Sequence, residues 1–286
     1  ADQARAALAA LAAAGVARAV ATPHVDGSLT VDPAALATRL AELEEFPFPT
    51  FEEPWRRAYA SQRIAQHHAR DLAVGGAMAV TIFEVAWQLR GMEELFLDLV
   101  LRPELAAYLL DRITEIRISM ARFFAAQDVD VLILGDDVSM QTGMLMSPAT
   151  WRTWFKPRLA RIIQEALAVK PGLPIFYHSD GNPWEIIPEL IEIGVTILNP
   201  VQPECIDPIA VKREYGDRLA LWGTIGTQTT MPFGTPDEVR REVKRRIETV
   251  GYNGGLVLGP THSLEPDVPW ENIVALYEAI EEYGAF

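Results

Sequence analysis

The feature that most constrains the fold is a repeated alternation of short apolar runs with stretches of helical periodicity. Seven such runs, each followed by a turn, lie at residues 18–24, 72–80, 129–137, 174–181, 195–203, 219–227 and 255–262. Near-continuous apolar strands separated by helices are typical of a parallel sheet covered on both faces. The alternation predicts an α/β fold, most simply a TIM (β/α)8-type barrel. A doubly wound open sheet fits the same pattern. A closed barrel needs an eighth strand, so the sequence leaves open whether the barrel is complete at its N-terminal strands.

Two C-terminal helices are marked by the sequence itself. Thr235 and Glu238 have the spacing of a capping box, and Gly251 follows the last turn of the same periodic segment. The apolar face of that helix is formed by Val239, Val243, Ile247 and Val250. The segment after residues 267–272 is predicted as the last helix, with an apolar stripe of Ile273, Leu276, Tyr277 and Ile280.

Composition narrows the classes of partner. The formal net charge of -14 would repel phosphate backbones and anionic lipid, so neither nucleic acid nor a membrane surface is an expected partner. No run approaches the roughly 20 apolar residues that a membrane-spanning helix needs. Cys205 is the only cysteine, which excludes an intramolecular disulfide and suits a reducing compartment. We therefore expect a cytoplasmic protein that acts on a small molecule.

A change in character near residue 45 predicts a domain boundary. Residues 1–45 are Ala-rich and read as helix, strand, loop and helix, whereas residues 44–55 form a connector rich in Pro and aromatic residues. The predicted domains are an N-terminal segment, residues 1–45, and a barrel domain, residues 46–286.

Candidate metal ligands stand at the ends of three predicted strands. His178 and Asp180 end the fourth run, and their side chains point to the same side of an extended segment. Glu204 follows the fifth run and His262 ends the seventh. Because the carboxyl ends of parallel strands meet at one edge of a barrel, these four side chains predict a site for Zn²⁺. The alternative is that His178 only forms a hydrogen bond with Asp180 at the strand end.

Other strand ends carry candidate catalytic and substrate-binding residues. Asp136 and Asp137 end the third run and are predicted to orient the substrate or to position a proton. Capping of the next helix by one of them is the alternative. The candidate substrate contacts at or beside strand ends are Met140, Tyr177, Trp222 and Gln228. For Met140, whose neighbours include several Met and Trp residues, a place in the core is the alternative.

Several long motifs carry a family resemblance. The stretches "LGDDVSMQTGMLMSPATWRTWFKPRLARI", "FYHSDGN", "ILNPVQPE" and "VLGPTHSLEPDVPWENI" resemble the uroporphyrinogen decarboxylase-like superfamily. The resemblance runs from about residue 46 to the C-terminus. It is closest to the methyltransferase branch, which includes cobalamin-dependent enzymes that move methyl groups to or from corrinoid proteins. The resemblance implies a TIM barrel, in agreement with the strand pattern.

The same resemblance bears on the metal ligands. Methyltransferases of this branch hold zinc through an H-x-C pair, often a Glu after the next strand, and a further Cys late in the barrel. His178 matches the His, Asp180 stands at the first Cys, Glu204 at the Glu, and His262 at the late Cys. Two thiolates are thus replaced by harder ligands. The replacement leaves room for an oxygen substrate, such as a methoxy compound, or for another divalent metal.

The resemblance implies a zinc-dependent methyltransferase that moves a methyl group between a small substrate and a cobalamin-carrying corrinoid protein. Two alternatives remain: a decarboxylase of the uroporphyrinogen type, and an inactive truncated or fused barrel. The decarboxylase members use an Arg-rich N-terminal segment to hold substrate carboxylates, and nothing before residue 72 resembles that segment.

Residues 1–45 carry a different resemblance. The stretch "AAAGVARAVATPHVDGSLT" resembles a piece of the bacterial PHP-type metal-dependent tyrosine phosphatases, and His24 matches a His that helps to bind metals in that family. The other His-rich motifs of those enzymes have no match in the sequence, so phosphatase activity is not predicted. We therefore interpret the chain as a junction of segments that resemble two different families.

Overall fold

The computed structural model describes residue 51 and residues 53–284. Six of the seven predicted strand runs fall within this part of the chain, and each forms a strand of one parallel sheet with the order β1-β2-β5-β6-β7-β8. The strands are β1 Gly75–Met78, β2 Val131–Gly135, β5 Ile175–His178, β6 Ile197–Asn199, β7 Ala220–Trp222 and β8 Leu256–Val257. The first run, His24 and the predicted boundary at residue 45 lie outside the described residues.

Helices fill the connections between these strands. They are α1 Pro54–His68, α2 Phe83–Arg90, α3 Met92–Leu101, α4 Pro103–Ala126, α5 Pro148–Trp154, α6 Lys156–Val169, α7 Ile187–Glu192, α8 Pro208–Tyr215, α9 Thr230–Phe233, α10 Pro236–Val250 and α11 Trp270–Tyr283. A short antiparallel hairpin, β3 Ser139–Met140 with β4 Gly143–Met144, extends the loop after β2. Among the helices of residues 53–284, none has both the length and the apolarity needed to cross a bilayer.

The two faces of the sheet have different environments. On β2, Leu132 and Leu134 are fully buried, whereas the alternate residue Ile133 is half-buried. Gly76 of β1 pairs with Leu132, and a Cβ at Gly76 would collide with the ring of Phe124 on α4. The face that carries Leu132 therefore packs against the helices, as the period-2 alternation of a strand requires.

The carboxyl ends of the strands meet along one edge of the six-stranded sheet because neighbouring strands in it are all parallel. Gly135 of β2 is in register with His178 of β5, and His178 is in register with Asn199 of β6. Asp137 and Asp180 are the second residues after the ends of β2 and β5. The fold therefore assembles the strand-end residues of the central strands into one neighbourhood.

The capping box that the sequence predicts for α10 is confirmed. The Thr235 hydroxyl accepts the N–H of Glu238, and the Glu238 carboxylate accepts the N–H of Thr235. The predicted helix face is also found: Val239, Val243 and Val250 are fully buried. Val239 and Val243 share an apolar cluster with α11, whereas Val250 belongs to the larger core cluster.

The predicted stripe of α11 is wrong at one position. Tyr277 is 63% exposed, while Leu276 and Ala279 are fully buried. The cause is Asn272, whose side-chain amide is buried and donates to the carbonyls of Met231 and Gly234. These two bonds turn the Asn272 side of the helix inward and leave Tyr277 outside.

Replacement of Thr235 by Ala removes the hydroxyl that accepts the N–H of Glu238. We expect Thr235→Ala to lower the free energy of unfolding by about 1 kcal/mol, measured by urea denaturation. Thr235→Ser retains the hydroxyl and serves as the control with near wild-type stability. Equal stability of the Ala and Ser variants would contradict a stabilising role for this cap.

Candidate metal centre and cavity

The orientation of His178 is set by Asn199 on the neighbouring strand. The Asn199 side-chain N–H donates to the carbonyl of Trp222 at 3.1 Å, so its amide oxygen faces Nδ1 of His178 at 2.6 Å. An amide oxygen only accepts, so Nδ1 carries the hydrogen and the neutral ring has its lone pair on Nε2. This arrangement is the one found for metal-binding His side chains, in which the second nitrogen is fixed by a polar partner.

Two carboxylates converge on Nε2 of His178. Oδ1 of Asp137 lies 3.5 Å from Nε2, and Oδ1 of Asp180 lies 3.8 Å from it. One potential ligand atom from each of these three residues lies within 4.8 Å of the others, and no further group of this kind occurs among the described residues. Ligand atoms around tetrahedral Zn²⁺ are about 3.3 Å apart. The two distances to Nε2, 3.5 and 3.8 Å, are a few tenths of an ångström longer than this spacing, so these atoms can approach the geometry of a small divalent cation.

A backbone hydrogen bond connects the two acidic residues. The N–H of Asp180 donates to Oδ1 of Asp137 at 2.8 Å, which ties the loop after β5 to the loop after β2. Burial raises the pKa of Asp180, the neighbouring Asp137 raises it further, and His178 and His262 act in the opposite direction. A cation bound beside Asp180 would stabilise its charged form and oppose this rise.

Asp136 has a different environment from Asp137. Its carboxylate is buried and accepts the backbone N–H groups of Thr81, Ile82 and Glu84, at the start of α2. Burial raises the pKa of Asp136 to about 6, and these backbone hydrogen bonds oppose that rise. The helix-capping alternative describes this residue, although the helix that it caps precedes it in the chain.

A cavity of about 480 Å³ opens beside the three converging residues. Asp180 and His262 stand in its wall, and Oδ2 of Asp180 lies 4.0 Å from Nε2 of His262. The remaining wall includes the uncharged residues Ser139, Met140, Gln141, Gln202, Thr227 and Gln228, and the acidic residues Glu265 and Asp267. The Gln141 side chain donates to the Gln228 side chain, so a hydrogen bond links the hairpin to the loop after β7. The cavity thus presents both uncharged hydrogen-bonding groups and carboxylates next to the candidate metal ligands.

Glu204 and His262, the other two predicted ligands, stand outside the converging group. One oxygen of Glu204 accepts the Thr229 hydroxyl at 2.8 Å and the N–H of Gln228 at 3.3 Å. Its second oxygen is buried without a hydrogen-bond partner. Glu204 therefore holds the loop after β7, while His262 is mostly exposed at the cavity wall. Burial and the carboxylates of Glu204 and Asp180 raise the pKa of Cys205, which disfavours its thiolate.

The four predicted substrate contacts separate into two pairs. Met140 and Gln228 stand in the cavity wall, and Met140 is about half-exposed there. Tyr177 is fully buried in the apolar core on the face of β5 opposite to His178, and burial raises its pKa. Trp222 packs edge-to-face on the ring of Phe176, with 5.2 Å between ring centroids. The structure brings only the first pair to the cavity.

Three residues of this neighbourhood were missed by the sequence patterns. Asn199 fixes His178, Gln141 bonds to Gln228, and the Glu84 carboxylate accepts the N–H of Asp137 at 3.2 Å. Burial raises the pKa of Glu84, and Asp137 adds to this effect. The position of Asn199 could have indicated its role, since it ends the strand next to the strand of His178. Glu84 had no such indication, because it lies on a helix that is distant in sequence.

A sequence model of uroporphyrinogen decarboxylase (URO-D) matches residues 29–283, which is most of the chain. The chain belongs to the URO-D family. This match confirms the resemblance drawn from the motifs, and with the parallel sheet and its helices it confirms an α/β fold of the TIM-barrel type. The match begins inside the N-terminal segment that carries the phosphatase resemblance, a resemblance that stays a prediction.

Relatives with assigned activities fall into both predicted classes. The methylcobamide:CoM methyltransferase MtaA of Methanosarcina barkeri is 30% identical over 185 residues, which cover 64% of this chain and 51% of the relative. The uroporphyrinogen decarboxylase of Legionella pneumophila (strain Corby) is 25% identical over 190 residues, covering 65% and 51%. The chain thus spans about half the length of the curated relatives it matches.

A solved structure is also similar. A methyltransferase from Methanosarcina mazei superposes with a TM-score of 0.62 at 25% identity, covering 75% of this chain and 60% of that one. Together with the match to MtaA, this similarity supports the methyltransferase branch of the superfamily.

Gly135 gives a test of the close contact behind His178. A Cβ built on Gly135 would lie 2.6 Å from Cβ of His178, closer than two carbons can approach. We expect Gly135→Ala to lower the free energy of unfolding by about 1–3 kcal/mol in urea denaturation. Gly259→Ala is the control, because a Cβ there meets nothing within 4 Å. A Gly135→Ala variant as stable as this control would show that the strand ends are not closely packed.

Proposed function

We propose that this protein is a zinc-dependent methyltransferase in which Asp137, His178 and Asp180 bind the metal. The observation that carries the proposal is the convergence of two carboxylates on the lone pair of Nε2 of His178, at 3.5 and 3.8 Å. Lone pairs and negative charges this close together repel one another, and a divalent cation between them removes the repulsion. This ligand set differs from the one expected from the sequence, because it contains Asp137 and lacks Glu204 and His262.

The proposed reaction is the movement of a methyl group between a small methoxylated substrate and a corrinoid carried by a partner protein. Two relatives support the methyl-transfer part, since both MtaA and the Methanosarcina mazei protein are methyltransferases. The cavity next to Asp180 has the size of a small-ligand site. Cys205 is the only cysteine of the chain, which supports a cytoplasmic location for the proposed enzyme.

The residues of the chain would contribute binding and orientation. Zinc, when bound, supplies a Lewis acid that polarises the atom that gains or loses the methyl group. Asn199 keeps the proton of His178 on Nδ1 and therefore keeps Nε2 available. Gln141 and Gln228 present amide groups at the cavity wall that can orient a polar substrate. The corrinoid partner would cover the cavity mouth and exclude water during transfer.

A decarboxylase of the uroporphyrinogen type is the second candidate, because several relatives carry that activity. Such an enzyme must hold substrate carboxylates, for which Arg and Lys are the suitable side chains. Among the described residues that line the cavity there is no Arg or Lys, and Asp180, Glu265 and Asp267 add negative charge. This charge balance favours the methyltransferase. The inactive fused or truncated chain is the third candidate, and it predicts neither activity.

Metal content gives the first test. We expect about one zinc per chain in the purified protein, measured by elemental analysis, and loss of that zinc in His178→Ala because tetrahedral sites need all of their protein ligands. His67→Ala is the matched control, since His67 lies on α1 next to Arg63. A folded wild-type protein without metal, or a His178→Ala variant that retains it, would refute the proposed site.

Turnover separates the three candidate functions. With reduced cobalamin as acceptor and methoxylated aromatic compounds as donors, we expect methylcobalamin to form, followed by visible absorbance. His178→Ala should lower the rate by at least about 100-fold, because the Lewis acid is lost with the metal. Turnover of uroporphyrinogen instead would establish the decarboxylase, and a zinc-loaded protein without either activity would favour the inactive chain.

A further inference from the structure

Glu84 stands next to the candidate metal centre but belongs to neither the predicted ligands nor the cavity wall. It lies in the first turn of α2, half-buried, and one of its carboxylate oxygens accepts the N–H of Asp137 at 3.2 Å. It is not a member of the group formed by Asp137, His178 and Asp180. Glu84 therefore contacts the backbone of a candidate ligand rather than the metal position.

The location of Glu84 is fixed by the residue that precedes Asp137. Asp136 accepts the N–H of Glu84 at 3.0 Å and those of Thr81 and Ile82 at 3.1 and 2.9 Å. The carboxylate of Asp136 thus holds the N-terminal turn of α2 against the end of β2. Asp136 thus accepts hydrogen bonds from this helical turn, and the next residue, Asp137, donates one to it.

A second set of bonds fixes the segment that joins β1 to α2. The Thr81 hydroxyl donates to the carbonyl of Met78 and accepts the N–H of Gly135, and the N–H of Thr81 donates to the carbonyl of Gly135. Arg117 on α4 donates to the carbonyl of Thr81 at 3.0 Å. Since Thr81 is fully buried, α2 has a defined position relative to the end of β2.

The position of Asp137 in turn determines the rest of the centre. Oδ1 of Asp137 accepts the N–H of Asp180 and is the atom that faces Nε2 of His178. A shift of the Asp137 backbone therefore moves one carboxylate and releases the loop that carries the other. The backbone on either side of Asp137 is bonded to the end of β5, through Asp136 to His178 and through Val138 to Ser179. The N–H of Asp137 itself has Glu84 as its acceptor, so Glu84 is the contact that opposes this shift at Asp137 itself.

We propose that Glu84 is a positioning residue that holds Asp137 in the geometry needed for metal binding, through the hydrogen bond to its N–H. The inference rests on the proposed metal site. It assigns Glu84 no contact with the metal or the substrate. In this arrangement Asp136 holds the first turn of α2, and Glu84 in that turn holds Asp137.

Three substitutions at Glu84 separate the hydrogen bond from the charge. Glu84→Gln retains an acceptor oxygen at the same reach but removes the charge. Glu84→Asp retains the charge but withdraws the carboxylate by one methylene group, and Glu84→Ala removes both. Glu93→Ala is the matched control, since Glu93 is an exposed Glu in the first turn of the next helix.

The measurements are the dissociation constant for Zn²⁺ and the visible spectrum of the Co²⁺-substituted protein, with circular dichroism to verify folding. We expect Glu84→Ala and Glu84→Asp to weaken Zn²⁺ binding about 10- to 100-fold, the range found for partners that orient metal ligands. Their Co²⁺ spectra should change because the ligand geometry changes. Glu84→Gln and Glu93→Ala should keep both the affinity, within about threefold, and the spectrum.

The outcomes also distinguish this inference from the proposed function. A wild-type protein that binds neither metal refutes the metal site itself. Tight binding by wild type with unchanged affinity in Glu84→Ala refutes only the positioning role. Loss of affinity in Glu84→Gln equal to that in Glu84→Ala would show that Glu84 acts through its charge, and this also overturns the proposal. If Glu84→Ala does not fold, the comparison of Glu84→Gln with Glu84→Asp decides.

Discussion

The site depends on the parallel register of three strand ends, in which Gly135, His178 and Asn199 lie side by side. His178 can occupy its place because Gly135 has no side chain to collide with its Cβ. The same register puts the Asn199 amide within 2.6 Å of Nδ1. One backbone alignment therefore determines both the position of the imidazole and the nitrogen that carries its proton.

The fold could be predicted wherever local patterns decide the structure. Six apolar runs became strands, and the Thr235 capping box formed, because strand periodicity and caps involve near neighbours in sequence. Tyr277 shows the limit of such patterns. Its exposure follows from the hydrogen bonds of Asn272 to the loop around α9, and a contact between distant segments overrides the periodicity of the helix.

The candidate site could also be predicted only in part. His178 and Asp180 follow from spacing on one strand, and the sequence also marked Asp137, though as a catalytic residue rather than as a ligand. Glu204 and His262 lie on loops whose course depends on tertiary contacts, such as the bond of Glu204 to Thr229. Glu84 had no pattern of its own, since its relation to Asp137 spans 53 residues. Residues that orient a site carry less sequence signal than residues that end its strands.

The identity of the ligands bears on the substrate that a metal here could activate. Two carboxylates and one imidazole provide the same formal charge as two thiolates and one imidazole. Carboxylate oxygens donate less electron density than thiolate sulfurs, so a cation held by Asp137 and Asp180 remains the stronger Lewis acid. A stronger Lewis acid polarises a hard oxygen more effectively, whereas softer ligands suit the activation of a thiol. Oxygen ligands in the proposed metal site would therefore favour a methyl group bonded to oxygen over a methyl group bonded to sulfur.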